Sequence, residues 1–541
     1  MRAAPQYKND SLYLTKMKLP KSLFKQLFLT FLLVTIFQFA AIAQKTDTVI
    51  TLQVNLNNTA QTIENIGASG CWFSEGIGKY WPAEKREAIA RLLFSKEKDK
   101  QGTPVGIGLS AWRFNIGAGT TEQGDSSGIK DFRKRTECFL SPNGSYDWSK
   151  QAGYQFFLKK AHDYGVETLI AFSNSPPVQF TRNGLGYKTE KDYTSNLKAD
   201  AYDSYADFLA KVIRHFDQEG LHFSYISPVN EPQWDWSHPY KQADQEGSAW
   251  KNDEIYHVVK ELNGTLNKEK LDTKILISEA GMLNYLYSGK GNSSSQIQHF
   301  FGPGSSLSVK ALNHVPPVIA GHSYFTESND STLVAVRTRL ADTAKKYNIS
   351  YWESEYSMLA DGFKEGVKGD RSAMDCALFL AKVIHADLTA GNATAWQFWN
   401  SYEPGSAEFN TRYYLIALKP QPDYKDGEFT VTKNLWALGH YSLFVRPGMV
   451  RVYTGVEHLA DNKVLISAWK DKNNKLVIVA INRGTTDTSV KLGLSNNKRA
   501  YKTLDTYLTT GDKDKNMQFS RGSYKSHLVL PGRSISTLIL N

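Results

Sequence analysis

Cysteine is scarce: 541 residues contain three, Cys71, Cys138 and Cys376. Three thiols cannot all pair, and their spacing fits no zinc motif. Cys376 falls in a helical pattern and reads as a buried thiol. A Cys71–Cys138 bridge stays open, because the N-terminus reads as an export signal and export permits disulfides. Short catalytic signatures are missing as well. There is no H-E-x-x-H, no G-x-x-x-x-G-K and no paired C-x-x-C. That removes zinc-peptidase, P-loop and dithiol chemistries. The glycine-rich "GIGLSAWRFNIGAG" lacks the G-x-G-x-x-G spacing of a dinucleotide site. No cofactor and no metal are expected.

Clustered charge and long apolar runs are also lacking. The net charge is +10, but residues 1–43 hold six Lys/Arg and one acid, so removing them leaves about +5. The remaining basic residues are scattered, which argues against a nucleic-acid partner. The longest apolar run lies in "MKLPKSLFKQLFLTFLLVTIFQFAAIAQ", from Met17. Lys18, Lys21 and Lys25 form a basic n-region, Leu27 to Ala40 an apolar h-region, and Ala41-Ile42-Ala43 a small-residue cleavage site. The run is shorter than the ~20 residues of a spanning helix. Residues 1–43 therefore read as a signal peptide with its true start at Met17, cut after Ala43. Gln44 begins the mature chain, and no lipid-attachment cysteine follows the small residues. The expected location is secreted or periplasmic, with no membrane span in the mature chain.

What is present is a large apolar and aromatic content, 41% and 12%, with twelve tryptophans. Eight short strand-like runs follow one another: "TIENIGAS", "LSAWRFNIG", "VETLIAFSNSPP", "HFSYISPVNEP", "TKILISEAG", "PPVIAGHSYF", "ISYWESEYS" and "NATAWQFWN". Amphipathic stretches with i, i+3, i+4 spacing separate most of them. Pro82 stands near the start of one. Glycines past the helical runs, Gly165, Gly220 and the glycine of "NDEIYHVVKELNG" among them, read as C-terminal stops. This alternation predicts a (β/α)8 TIM barrel over residues 63–435, with function at the C-terminal ends of the strands. Residues 436–541 change texture. "NKVLISAWKDKNNKLVIVAINRG" and "SHLVLPGRSISTLIL" are strand pairs and predict a side antiparallel β-sandwich. Residues 44–62 alternate too and are expected to join it. Without repeats, low-complexity tracts or a Pro/Ser linker, the two parts should pack closely.

Charged and aromatic residues gather at the strand ends: Arg113 and Asn115, "NSPP" from Asn174, Asn230-Glu231, Glu279, His322 and Tyr324, Glu355, then Trp396 and Trp399. Taken singly, Arg113 or Glu279 could equally be a structural ion-pair partner. Glu231 and Glu355 end strands on opposite sides of the expected barrel. Two carboxylates facing across a cleft are what glycoside hydrolysis requires, one to protonate the leaving oxygen and one to attack or to activate water. "WESEYS" also offers Glu353, on the same strand face, but Glu355 lies nearer the functional end. Asn230 is placed to bind the hydroxyl beside the reacting carbon. Pro232 should keep the residue before it extended. Trp72, Trp112, Trp148, Trp234, Trp236 and Trp250 are read as an aromatic rim offering flat faces to sugars.

With these motifs in order, the chain resembles glycoside hydrolase family 30. The resemblance rests on "AWRFNIGAG", "FSNSPP", "SPVNEPQW", "GHSYF", "WESEYS", "WQFWN" and "YSLFVRPGMVRV", and covers nearly all of the mature chain. It implies a barrel with a side sandwich built from both termini. It implies Glu231 as acid/base, Glu355 as nucleophile, and Arg113 and Tyr324 as contacts of the nucleophile. Asn230 matches the 2-hydroxyl contact, and His322 and Trp396 match residues lining the sugar subsite. One departure stands out: where many members carry a tryptophan before the "SPP" serine, this chain has Asn174, which resembles the branch of endo-β-1,6-galactanases. Asn174, Trp234 and Glu279 complete the expected substrate contacts. The expected function is a retaining β-glycosidase, an endo-β-1,6-galactanase, working as a monomer on a polysaccharide. β-1,6-Glucanase or xylanase activity is the alternative within the family. A glycan-binding protein without catalysis is the alternative outside it.

Overall fold

The computed structural model describes residues 49–541 except Ser328, residues 457–462 and Lys498; the expected signal peptide lies outside the described residues. The chain enters through two strands, β1 (Ile50–Asn55) and β2 (Thr59–Thr62), before the barrel begins. The barrel strands are β3 (Asn65–Ser69), β4 (Ala111–Asn115), β5 (Thr168–Phe172), β6 (Tyr225–Ser227), β7 (Lys274–Ile275), β8 (Val318–Gly321), β9 (Ser350–Tyr356) and β10 (Ala395–Phe398). They pair in the order β7-β6-β5-β4-β3-β10-β9-β8, all parallel. The circle closes through the chain after β7: Ala320 N–H donates to Ile277 O at 2.6 Å and His322 N–H to Ala280 O at 2.8 Å. Strands buried on both faces read as continuous apolar runs rather than alternating ones, and β3, β4 and β10 are buried throughout.

The helices follow from local sequence signals. Pro82 is the N-cap of Ala83–Phe94, and Gly165 and Gly220, at φ 74° and 78°, stand just past helices Ala152–Asp163 and Tyr202–Gln218. Tyr205, Leu209, Val212 and Phe216 place the buried stripe of the latter on the barrel. Gly264 is not a stop. Helix Asn252–Glu269 runs through it, because Leu262 and Leu266 carry the buried stripe on, and Lys270 ends the helix at φ 56°. Helix Ala373–Thr389 opens with a Ser372/Asp375 capping box and is buried along its whole length. The reason is its position, with contacts to β10 on one side and the sandwich on the other.

After the barrel, β11 (Tyr402–Pro404), β12 (Ile416–Pro420) and β13 (Gly427–Val431) form a small sheet. Helix Lys433–Ser442 then crosses the expected boundary at 435/436 and contacts β3 of the barrel. The sandwich strands are β14 (Val450–Val452), β15 (Val464–Lys470), β16 (Leu476–Asn482), β17 (Thr488–Ser495), β18 (Thr503–Thr509), β19 (Gln518–Ser523), β20 (His527–Leu530) and β21 (Ser534–Leu540). One sheet is β19-β18-β21-β16-β15-β14-β2 and the other β1-β17-β20. Both chain ends contribute. Alternate residues Leu52, Val54, Ile466, Ile478, Val490, Leu528 and Leu538 meet between the sheets. One pairing departs from the antiparallel expectation: β1 runs parallel to β17, from Ile50↔Val490 to Asn55↔Ser495. The three cysteines are free and buried, so the Cys71–Cys138 bridge does not form. Burial pushes both thiols up, and Tyr154 Oη meets Cys71 Sγ at 3.8 Å.

Candidate active site

Glu231 lies in the loop after β6, past Asn230, and sits at φ 45°. This overturns the extended backbone expected before Pro232. Three hydrogen bonds outweigh the proline's preference: Glu231 N–H donates to Glu279 O at 2.8 Å, and its carbonyl accepts from Trp234 N–H and Trp236 Nε1–H at 3.2 Å each. The result aims the carboxylate inward. Glu279, after β7, is also left-handed, at φ 52°.

Across the barrel, Glu355 near the end of β9 accepts from Arg113 Nη1 at 2.7 Å and from Tyr324 Oη at 3.1 Å. Arg113 is itself fixed. Its guanidinium lies 4.1 Å from the Phe172 ring centre, and Nη2 is 3.6 Å from Glu279. Between the two acids stands His322. Its Nδ1 is 3.0 Å from Glu231 and 3.7 Å from Glu355, and its Nε2 is 3.2 Å from Glu279. One oxygen of Glu231, one of Glu355 and a His322 nitrogen all lie within 4.8 Å of one another.

The electrostatics separate the roles of these groups. Burial opposes a charge on His322, but Glu355, Glu231 and Glu279 together outweigh it and push the imidazole up to about 10. A doubly protonated ring donates from both nitrogens. Burial would raise Glu279, yet Arg113, His322 and Ser227 hold it down to about 2. Ser227 Oγ donates to it at 2.5 Å and Ser354 Oγ also donates. Glu231 is raised. Its burial and the nearby Glu355 charge favour the acid form, while His322 and Trp234 pull the other way. Glu353 lies beneath Glu355 and accepts its backbone N–H at 3.1 Å. Burial and Asp387 hold Glu353 well above the carboxylate range. Its oxygens accept from the Ser323, Glu355 and Gln397 N–H groups and do not line the cleft.

The cleft has a volume of about 410 Å³. Glu231, Glu355, Asn174, Asn230, Trp234 and Tyr324 line it, as expected from the strand ends. Asn230 Nδ2 donates to Asn174 Oδ1 at 3.0 Å, and Asn174 Nδ2 donates to Asn115 Oδ1 at 3.3 Å. Three expected sugar contacts stand behind the wall instead. Arg113, Glu279 and His322 are 2%, 0% and 0% exposed and reach the cleft only through the two glutamates. Trp396 is corrected too: it is fully buried and donates Nε1–H to Asp387. Trp399, three residues on, lines the cleft. Trp399 stands just past the end of β10, outside the strand's alternation.

The aromatic rim is smaller than expected. Trp72, Trp234 and Trp236 line the cleft. Trp112 packs edge-on to Phe94, Trp250 stacks with Tyr205, and Trp148 stacks on His215 at 3.9 Å. Phe325, Tyr413, Lys134 and Gln245 also line the cleft. They sit in long loops whose fold no local pattern announces.

A barrel that sets two buried carboxylates across an aromatic cleft is the architecture of a glycoside hydrolase. Residues 49–409 match the O-glycosyl hydrolase family 30 model, and residues 448–538 match the family 30 beta sandwich domain. The chain belongs to glycoside hydrolase family 30. It is 24% identical to glucuronoxylanase XynC of Bacillus subtilis over 67% of its length and 70% of that protein's. It is similar to the crystal structure of a conserved exported protein from Bacteroides fragilis, at 35% identity and a TM-score of 0.83, covering 90% of this chain and all of that one. The endo-beta1,6-glucanase BT3312 shares the fold, at 18% identity and a TM-score of 0.60, over 90% and 94% of the two chains. No described helix is long and apolar enough to cross a membrane.

Proposed function

We propose that the protein is an exported, monomeric, retaining endo-β-1,6-galactanase. In this reading Glu355 attacks the anomeric carbon while Glu231 gives its proton to the departing glycosidic oxygen. A covalent glycosyl–Glu355 ester and a free sugar hydroxyl result. Glu231, now a carboxylate, takes a proton from water, whose oxygen displaces Glu355 and restores both groups. The observation that carries the reading is the pair of acid oxygens within 4.8 Å, in keeping with the ~5–5.5 Å carboxyl spacing of retaining enzymes rather than the ~6.5–9.5 Å of inverting ones. Arg113 and Tyr324 donate to the nucleophile and fix its oxygens, and burial favours the protonated acid. A binder without catalysis would gain nothing from burying two carboxylates together.

Specificity rests on Asn174. An amide where many family members carry a tryptophan gives the cleft wall a polar group, and Asn230 Oδ1 beside it has no hydrogen-bond partner among the described residues. Together they supply donors and acceptors for a sugar with an axial hydroxyl. A site built that way rejects the epimer by leaving its own polar groups unpaired. Activity on xylan or β-1,6-glucan is the second reading, favoured by the names of the two characterised relatives. Export is supported by the leader-like residues 1–43 and by the exported relative. The test is a panel of β-1,6-galactan, β-1,6-glucan, glucuronoxylan and arabinogalactan stripped of arabinose. Release of short β-1,6-galacto-oligosaccharides supports the proposal. Turnover of glucan or xylan with none on galactan overturns the specificity and spares the chemistry. No turnover of any β-glycan favours the binder.

A further inference from the structure

A second cavity opens next to the cleft. It measures about 270 Å³, and Trp72 lines both spaces. Trp72 follows β3 and meets Trp399, which follows β10, edge-on at 5.1 Å. These strands stand across the barrel from β6, which precedes Glu231. The second cavity therefore lies on the wall away from the acid that serves the leaving group.

Its lining has aromatic faces set in a polar rim. Tyr80 and Phe132 are 48% and 56% exposed. Phe132 stands edge-on to Tyr424 at 6.0 Å, and Phe73 stacks on the other side of Tyr424 at 6.3 Å. Phe132 is not merely left over on a loose loop. It begins the single turn Phe132–Lys134, where Asp131 accepts from Arg133 N–H and Arg133 Nε–H, and the same guanidinium reaches Tyr424 Oη. A turn braced in this way holds a large apolar ring out in water, a cost of about 25 cal/mol per Å² that covering the ring would recover. Glu75, Asp423 and Arg135 around it offer acceptors and donors at hydroxyl reach. Flat rings beside charged side chains suit a sugar residue, with its apolar face and hydroxyl edge, better than an apolar chain.

We infer that this cavity is a distal subsite for the glycone side of the glycan, holding a sugar past Trp72 from the residue carried on Glu355. The inference rests on the proposed glycosidase chemistry and adds where the chain runs. Its occupant is the substrate's own continuation, because the two spaces share Trp72. Such a subsite makes turnover depend on glycone length, as an endo-acting enzyme requires.

The test uses 4-nitrophenyl β-glycosides with glycones lengthened one residue at a time, in the β-1,6-galacto and β-1,6-gluco series. The nitrophenyl group is always the leaving group, so added sugars extend only the glycone side. For the unaltered protein, kcat/KM should rise with glycone length. Phe132→Ala and Tyr80→Ala should each lower kcat/KM about three- to tenfold on the longest glycosides. Neither should change the shortest glycoside turned over. Unchanged thermal unfolding would show that these exposed substitutions leave the fold intact. Equal losses at every length, or none at any length, overturn the subsite while the glycosidase reading stands. No turnover of any glycoside or polysaccharide by the unaltered protein overturns both.

Discussion

Glu231 and Glu355 present oxygens within 4.8 Å of each other, with His322 Nδ1 facing both. One acid is held up by burial, and the other is held by Arg113 and Tyr324. In the proposed roles, Glu231 is the acid and Glu355 the nucleophile. Replacing each should therefore fail differently. Glu355→Ala should reduce turnover to background on every substrate, and added azide should return part of it as the inverted glycosyl azide. Glu231→Ala should lose about 10²–10⁴-fold on polysaccharide and far less on aryl glycosides, whose leaving groups need no proton. Loss of activity in Glu353→Ala with normal Glu355→Ala turnover would exchange the two residues of "WESEYS".

Stereochemistry is an independent check on the same pair. Double displacement returns the starting configuration. Proton NMR in the first minutes of hydrolysis should show the β-anomer before mutarotation. A first-formed α-anomer would exclude a covalent intermediate on Glu355.

Glu231 must hold its proton to act as acid, so kcat/KM should fall as pH rises through its raised pKa. His322 lowers that pKa by its hydrogen bond and charge. Removing the imidazolium in His322→Asn should therefore move the alkaline limb to higher pH, together with a lower kcat. A limb that stays in place would assign it to another group.

The strand-end rule brought Glu231, Glu355, Asn174, Asn230, Trp234 and Tyr324 to one cleft because barrel topology converts chain position into place. Depth is not written the same way. Glu279 and His322 come after strand ends as Glu231 does, yet both are buried behind the cleft wall: Ser227, Ser354 and Arg113 satisfy Glu279, and Glu231 and Glu279 satisfy His322. Glu231 shows a local rule losing to tertiary bonds, since its φ of 45° defies the following proline. The sandwich was legible from its alternation, but not the parallel entry of β1, which depends on a partner more than 430 residues away. Phe132 and Phe325 sit in loops, where no period exists to read.

Arg113 is tied to both Glu355 and Glu279, and its side chain is 1% exposed. Arg113→Met would leave two buried carboxylates facing each other without it. Breaking a buried pair by removing one partner costs about 3–5 kcal/mol. Denaturant unfolding should show a loss of that size, and kcat should drop with it. A stable protein with normal kcat would mean that Tyr324 and His322 hold Glu355 unaided.

Glu246 tests whether the cleft loops respond to pH apart from Glu231 and Glu355. It follows Gln245 of the cleft wall and reaches back to the loop after β4, where Ala118 N–H donates to it at 3.2 Å and Thr120 Oγ1–H at 2.6 Å. Burial outweighs these bonds and raises it from 4.5 to about 7. A carboxyl raised in the folded state binds its proton more tightly there than when unfolded. Its contribution is thus complete below about 4.5 and is lost as pH climbs through about 7. The integral over that window is about 3 kcal/mol. Thermal melts should show the unaltered protein losing stability between those pH values relative to Glu246→Gln, which keeps an uncharged group in the same place. Parallel curves for the two proteins would mean that Glu246 is already ionised at the lower pH and that the loop is tied down by other contacts.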